Sequence, residues 1–440
     1  MNCHKLAPTG ANPTRYYHRR YGMMAFLLAV ALVAASCAST GMVTKRPVVR
    51  VVKKSGVIWQ ESLESNTYTY DSLVCPTADD CIAGGVLTKS VTSWDTNSTI
   101  GIGPGVIAVT TDGGSHWINH LFPQRIMTVA CLSVSRCLAI EDGPTRQGKS
   151  WSTWISVDGG MTWTRQDSAA PTGIESISCP SSLDCVSVGY TSGKELGQGA
   201  IGGGEPVTWT THDGGLTWQK FNQPTNVTNT YVTHVSCPSI QWCMAVGGQE
   251  IAISSTAGVT WQILHLPTLD GLVFTSGLGG ITSLSCPSVG VCVLVGSAQK
   301  GESDTAVPVW IKTTNSGKTW SVHVIHSVMQ ISGAAVTCPQ VNTCVALYNL
   351  AWSLYKSVRL GTMIYYLHGS TATPAVMAPS FSQGPTGPVG LGTDYGSDGI
   401  EFIGVSCPAY PLCYAELNGI VVDHRVAQVT GSMYIVKATS

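Results

Sequence analysis

Two cysteines six positions apart recur seven times along this chain, and in every copy but one a proline follows the first cysteine. The copies are Cys75/Cys81, Cys131/Cys137, Cys179/Cys185, Cys237/Cys243, Cys286/Cys292, Cys338/Cys344 and Cys407/Cys413. Successive copies begin 48 to 69 residues apart, and a short apolar run such as CVSVGY follows each second cysteine. Self-similarity at this period means a repeat architecture, in which each copy belongs to one supersecondary module.

Sixteen cysteines are present. Cys3 and Cys37 lie in the N-terminal leader, and the other fourteen make up the seven pairs. An even set at repeated spacing reads as disulfides in a secreted chain. Zinc fits poorly, because the gap is five residues and no histidine or second pair falls at a constant offset. Thiol exchange fits poorly too, since redox proteins use one low-pKa Cys-x-x-Cys rather than seven equivalent pairs. The constant offset predicts a bridge within each hairpin, worth about 2–2.5 kcal/mol apiece on the chain-entropy estimate.

Residues 1–44 read as a leader. Arg15, His18, Arg19 and Arg20 precede an apolar run, Met23–Ala35, that ends in small residues. This is the layout of a secretory signal peptide. The run AASC resembles a bacterial lipobox, which would make Cys37 a lipidation site, although Ala34 stands where leucine is usual. Cleavage after Ala35 or Ala38 and an uncleaved membrane anchor are the alternatives. The chain is therefore expected to be exported to the cell envelope or beyond, with a membrane tether through its N-terminus as one form.

A second string alternates with the cysteine pairs: TTDGGSHW, SVDGGMTW and THDGGLTW, ending at Trp117, Trp163 and Trp218. Weaker copies end at Trp261 and Trp320, with Thr256 and Asn315 in place of Asp112, Asp158 and Asp213; a remnant ends at Trp59. Physically this is a hairpin turn. The aspartate accepts backbone N–H groups, the glycines permit positive φ, and the tryptophan anchors the turn against the next sheet. One full unit then parses as four strands, ESISC, CVSVGY, PVTWTT and TWQKFN, with the second cysteine opening the second strand. Four-stranded sheets repeated radially make a β-propeller. The fold expected is all-β, a seven-bladed propeller of four-stranded antiparallel blades over residues 45–440, with one hairpin disulfide per blade. TMIYYLHG reads as a third strand with a decayed box, and 370–400 as an inserted loop rich in Gly, Pro and Ser. VVRVVKKSGVIWQ is expected to pair with the last strands and close the ring.

In such blades the disulfide and box turns share one face, and the loops between strands 2 and 3 and between blades share the other. Those loops vary in length, which marks them for recognition. They offer Trp94, Asp95, Arg125, Arg146, Glu195, Glu205, Glu302, Asp304, Lys356, Arg359 and Tyr395 as contacts. The repetition of Asp112, Asp158 and Asp213 argues that they hold turns and do not catalyse. A charged fraction of 11% and a net charge of −1 leave no basic field for nucleic acid. No phosphate loop, metal motif or cofactor fingerprint is present.

The string Ser/Thr-x-Asp-x-Gly-x-x-Trp resembles the Asp-box, or BNR repeat. That resemblance covers most of the mature chain and points to two groups. One comprises sialidases and related glycoside hydrolases; the other comprises non-catalytic propellers similar to photosystem II stability and assembly factors. The combination of SCPSxxxCVAVG with DGGxTW looks most like exported members of the second. A sialidase would require three converging arginines, a Tyr/Glu nucleophile and an Arg-Ile-Pro motif, whereas here PQRIMT has Met127 after Arg-Ile. The expected function is therefore a monomeric, non-enzymatic scaffold without cofactor, binding an envelope protein or glycan. A two-carboxylate glycosidase is the alternative, and a purely structural envelope protein the third reading.

Overall fold

The computed structural model describes residues 58–65, 68–87, 104–141, 151–166, 171–190, 205–223, 232–247, 250–266, 271–274, 280–300, 306–325, 330–354, 357–377, 397–410, 412–423 and 428–439. Among these residues every regular element is a strand. Blade 1 is built from Tyr68–Val74, Cys81–Leu87, Gly105–Thr110 and Ile118–Phe122, each strand antiparallel to the one before. Blade 2 follows as Ile126–Cys131, Cys137–Glu141, Ser152–Ser156 and Thr164–Gln166. Blade 3 is Ile174–Ser178, Cys185–Tyr190, Pro206–Thr211 and Gln219–Asn222. Blade 4 is His234–Ser236, Cys243–Gly247, Glu250–Ser254 and Gln262–His265.

Blade 5 comprises Ile281–Ser288, Val291–Lys300, Ala306–Thr313 and Ser321–Val324, with Leu272–Val273 added beside its second strand. Blade 6 is Gln330–Gln340, Thr343–Leu354, Ser357–His368 and Thr371–Met377. Blade 7 takes Ser397–Ala409, Leu412–Asp423 and Gln428–Thr439 from the C-terminal end and its outer strand, Ile58–Ser65, from the N-terminal end. Blades 6 and 7 join into one sheet through a short parallel contact of Val358 and Arg359 with Ser397 and Asp398. The protein is a seven-bladed β-propeller.

Four expectations need adjustment. Of VVRVVKKSGVIWQ the last three residues are described: they open the strand Ile58–Ser65, which runs five residues past that string, and the rest lies outside the described residues. Within the expected 370–400 loop, Thr371–Met377 and Ser397 onward are strand, and 378–396 lie outside the described residues. Arg359 is not in a loop: Leu354 faces Ser357 across a tight connection, and Arg359 pairs with Trp352 inside the third strand of blade 6. Alternating apolar residues over Ser357–His368 extend the ladder where a long loop was expected.

The fourth adjustment concerns the hairpins of blades 5 to 7. The second cysteine opens the second strand in blades 1 to 4, as expected, but Cys292, Cys344 and Cys413 stand one residue inside theirs. Here the ladder resumes beyond the bridge, pairing Ser288 with Val291, Gln340 with Thr343 and Ala409 with Leu412. Cys286, Cys338 and Cys407 consequently lie in register breaks within their first strands. A bulge absorbs the residues that the sequence pattern assigns to a turn.

The core lies between blades. In blades 1 and 2 the second and third strands are almost wholly buried, whereas the outer strands are largely exposed. Each apolar cluster therefore draws on two neighbouring sheets, as where Ile82 and Val109 of blade 1 meet Ile126 and Val129 of blade 2. The box tryptophans finish these clusters by packing on the preceding blade, where the sequence pattern suggests the next one. Trp163 joins blade 1 residues, Trp218 blade 2, Trp261 blade 3 and Trp320 blade 4; Trp117 joins Leu412 and Tyr414 of blade 7.

All seven cysteine pairs are bridged within their own hairpins: Cys75–Cys81, Cys131–Cys137, Cys179–Cys185, Cys237–Cys243, Cys286–Cys292, Cys338–Cys344 and Cys407–Cys413. Their Cα atoms are 4.0–4.1 Å apart. The second cysteine of every pair is buried, Cys292, Cys344 and Cys413 no less than Cys81, Cys137, Cys185 and Cys243. The second cysteine of each bridge is thus a core contact, whereas the first cysteines of blades 2 and 3, Cys131 and Cys179, are only half-buried.

A serine just before the first cysteine links successive blades. The hydroxyls of Ser178, Ser236 and Ser285 accept the backbone N–H of Cys237, Cys286 and Cys338 in the following blade, at 2.9–3.0 Å. Ser406 of blade 7 does the same for Cys75 of blade 1 at 3.0 Å, so this contact also closes the ring. Innermost strands present one unpaired backbone edge, and an unsatisfied N–H there costs free energy. The serine of the Ser-Cys-Pro string answers that need.

Candidate functional site

The repeated aspartates hold turns. Asp158 Oδ1 accepts the Thr162 N–H at 2.9 Å and the Ser156 hydroxyl at 2.8 Å, while Oδ2 accepts the Thr162 hydroxyl at 2.6 Å. Asp213 repeats the set with Thr211 and Thr217, and Asp112 with Thr110 and His116. The bond from the His116 N–H, followed by that of its ring, lowers the Asp112 carboxyl to about 2. The Thr162 hydroxyl lowers Asp158; in Asp213 burial works against the shift, and the bonds from Thr217 prevail. These are acceptors fixed in their ionised form.

Each box turn is also tied to the disulfide hairpin of its own blade. Gly113, Gly159 and Gly214 donate their N–H groups to the carbonyls of Asp79, Ser135 and Leu183, all four residues past a first cysteine. Ala257, Ser316 and Gly369 do so to Gln241, Gly290 and Asn342. Cysteine hairpins and box turns therefore share one face, cross-braced.

The other face opens on the central channel. A cavity of about 350 Å³ is lined by the first strands of blades 1 to 3, together with His234 of blade 4. Three side chains on its wall, Asp71, Met127 and Glu175, stand four residues before the first cysteine of their blades. In each strand the register skips this residue: between Tyr70 and Ser72, Ile126 and Thr128, Ile174 and Ser176. Such bulges re-aim a side chain, and here the repeated bulge turns the same position toward the channel.

Arg125 reaches this level from the connection into blade 2. The buried Glu141 orders that connection by accepting the Gln124 N–H at 2.8 Å and the Trp154 indole N–H at 3.0 Å. Arg125 then grips Asp71 in a fork, Nη2 to Oδ1 at 2.8 Å and Nε to Oδ2 at 2.9 Å. Glu175 sits near the same guanidinium. Desolvation in the channel wall raises its carboxyl, partly offset by the Tyr190 hydroxyl and by Arg125. His234, hydrogen-bonded to Thr233 at 3.0 Å, is lowered by burial to about 4 and is therefore a neutral imidazole at ordinary pH. The arrangement can offer a ligand two carboxyl groups, one arginine and a neutral ring.

Of the residues expected to form the recognition face, the structure places Arg125 here. Glu205 is exposed at the edge of the third strand of blade 3. Trp94, Asp95, Arg146, Glu195, Glu302, Asp304, Lys356 and Tyr395 lie outside the described residues, as does Cys37. Sequence reading missed Asp71, Glu175, Tyr190 and His234. The constant distance of Asp71 and Glu175 from a cysteine was a usable signal, but the bulge that turns them inward was not written in the pattern. Among the described residues no group of three His, Cys, Asp or Glu could hold a metal ion.

No protein-family model matches the chain, and no curated protein matches it. Among solved structures it is similar to YCF48 from Cyanidioschyzon merolae, at 13% identity over 86% of this chain and 98% of that one, with a TM-score of 0.44. YCF48 bound to D1 peptide gives 13% identity over 68% and 96%, with a TM-score of 0.41. The GH74 xyloglucanase from Xanthomonas campestris gives 10% identity over 85% of this chain and 55% of its own, with a TM-score of 0.49. The neighbours thus include enzymes and a peptide-bound protein on one architecture, and a shared fold does not transmit an activity.

Proposed function

We propose that the protein is an exported, non-catalytic scaffold of the cell envelope, which captures a protein or glycan on the loop face around the channel mouth. One observation carries this reading: apart from Glu175, the groups best suited to chemistry are engaged by the protein itself. The box aspartates are held in turns, Asp71 is clamped by Arg125, and the inner serines occupy backbone N–H groups. What remains is a rigid ring bearing loops of unequal length, which suits recognition. Seven bridged hairpins favour an oxidising compartment, in keeping with the leader.

Replacing 191–205 with a short glycine-containing turn should leave the melting temperature almost unchanged while weakening capture of the partner from envelope extracts. Capture unaffected by this change and by Arg125→Ala would sink the assignment.

A second reading rests on Asp71 and Glu175. They are carboxyl groups at equivalent positions of one channel, one held by arginine and the other raised by desolvation, and unlike environments are how glycosidases separate acid from base. Incubation with sialosides and common β-glycans should release no sugar above blank. Hydrolysis abolished by Glu175→Gln would establish the enzyme instead.

A further inference from the structure

The face of cysteine hairpins and box turns carries a ring of exposed apolar side chains. Val134, Leu183, Ile240, Val289, Val341 and Tyr410 stand three or four residues after a first cysteine, and each is between 36% and 53% exposed. The box turns add Val157, Leu216 and Val259 to the same face. Nine of the fourteen exposed large hydrophobic residues in the described structure are these nine turn residues. Single exposed apolar residues need no explanation, but one at the same place in hairpin after hairpin of one face does.

Charge divides this face into two sectors. The turns of blades 1 to 3 hold Asp79, Asp80, Asp112, Asp158, Asp184 and Asp213. From blade 4 to blade 7 the described hairpins and turns contain no carboxylate. Charged residues near them include Lys312, whose ammonium reaches Asn342 of the blade 6 hairpin, Lys318 of the blade 5 box, and, two and three positions in from the paired strand ends of blade 7, Lys437 and Glu61. This sector is apolar with a cationic fringe.

The chain enters the propeller here. Ile58, the first residue of the outer strand of blade 7, pairs with Thr439, the last residue of the strand beside it. Third strands of the blades end at the box turns, so Ile58 begins on the hairpin and box face, within the carboxylate-free sector. Between the apolar run ending at Ala35 and Ile58 the sequence holds Lys45, Arg46, Arg50, Lys53 and Lys54, and no acidic residue. Basic segments beside an apolar anchor are attracted to anionic lipid.

We infer that the hairpin and box face of blades 4 to 7 rests on an anionic lipid bilayer, dipping Ile240, Val289, Val341 and Tyr410 into its interface. The channel mouth and the long loops are then held away from the membrane, toward a partner. Separate projecting apolar side chains suit a fluid surface that closes around each of them, and the neighbouring lysines complement anionic headgroups. The inference rests on the export proposed above and on the N-terminal tether that the leader leads one to expect.

The test uses the full chain as the envelope processes it, with vesicles of phosphatidylethanolamine and phosphatidylglycerol. Hydroxyl-radical labelling read by mass spectrometry should fall several-fold at Val289, Val341 and Tyr410 on vesicle binding, and stay unchanged at Tyr190. Ile240→Asp, Val289→Asp and Val341→Asp together should keep the melting temperature and lose this protection. If processing removes the leader, the triple variant should also partition on the order of tenfold more weakly. Vesicle-bound protein with fully labelled tips would overturn the inference while leaving anchoring intact. Protein that does not bind vesicles at all would overturn both, and tips protected only by an envelope protein would replace the lipid with that protein.

Discussion

In blade 2 the turn before the outer strand is held by Asp158, whereas in blade 4 Thr256 occupies the same place. The two turns are nonetheless nearly superimposable in their bonding. Thr162 donates its N–H to Asp158 at 2.9 Å, and Thr260 donates its own to the Thr256 hydroxyl at 2.8 Å. Gly160 reaches the Ser156 hydroxyl at 2.7 Å, and Gly258 the Ser254 hydroxyl at 2.9 Å. Both tryptophans donate to a turn carbonyl, Trp163 to Gly160 and Trp261 to Gly258. The turn thus needs an acceptor at its third position and does not need a carboxylate. It does need positive φ: Gly159 has φ 73°, and Ala257, its counterpart, still adopts 56°. Packing is firmer in blade 4, where Trp261 is 9% exposed, while Trp163 is only half-buried.

The largest effect expected from breaking this comparison is at the tryptophans. Trp261→Ala should cost about 3–5 kcal/mol in chemical denaturation, and Trp163→Ala clearly less, because less of its ring is removed from water. Equal losses would show that burial is not what separates the two blades.

Next comes the second glycine of the box. A Cβ on Gly258 would sit 2.6 Å from Val186 Cγ1 of blade 3, at φ +83°. Gly258→Ala should therefore cost about 2–4 kcal/mol, from left-handed strain together with overpacking. The reverse change next door, Ala257→Gly, should raise the melting temperature slightly by relieving the same kind of strain. A neutral Gly258→Ala would mean that the blades can part without penalty.

Asp158→Ala should cost about 0.5–2 kcal/mol, by analogy with a lost helix cap. Thr256→Ala should cost no more than that, if an uncharged acceptor serves equally well. Loss of a specific activity in a well-folded Asp158→Ala protein would reassign the residue to chemistry.

The smallest effect separates Asp112 from Asn315 by pH. The Asp112 carboxyl is lowered to about 2 in the folded protein, against about 3.9 unfolded. Its contribution is complete above the unfolded value and is lost as pH falls through the folded one, so blade 1 should loosen between about pH 4 and 2. Asn315 forms the equivalent bonds to Thr319 without titrating. Carboxyl titration by NMR, with amide exchange in the two turns, would show acid sensitivity in blade 1 and none from Asn315 in blade 5.

Local chemistry repeated seven times was enough to state most of the architecture in advance. The cysteine spacing is a cross-strand pair in one hairpin, and the box is a turn whose donors and acceptors lie within a few residues of each other. Sequence therefore determined the blade, its bridges, the count of seven and the structural role of Asp112, Asp158 and Asp213. It did not determine that the ladder runs past Cys292, Cys344 and Cys413, because the same spacing serves a plain turn in blades 1 to 4 and a bulged strand in the rest. The serine before the cysteine was visible too, but its partner lies 50 to 59 residues away in the next blade, so its role could not be read locally. The channel was decided wholly by tertiary structure. Asp71 and Glu175 look like ordinary strand polars until a bulge turns them inward, and Asp71 meets Arg125 from 54 residues away. The apolar sector was likewise hidden, because Ile240, Val289, Val341 and Tyr410 are far apart in the chain and become neighbours only when the ring closes. Contacts within a turn are fixed by short-range geometry, whereas contacts between blades exist only once every blade has its place around the axis.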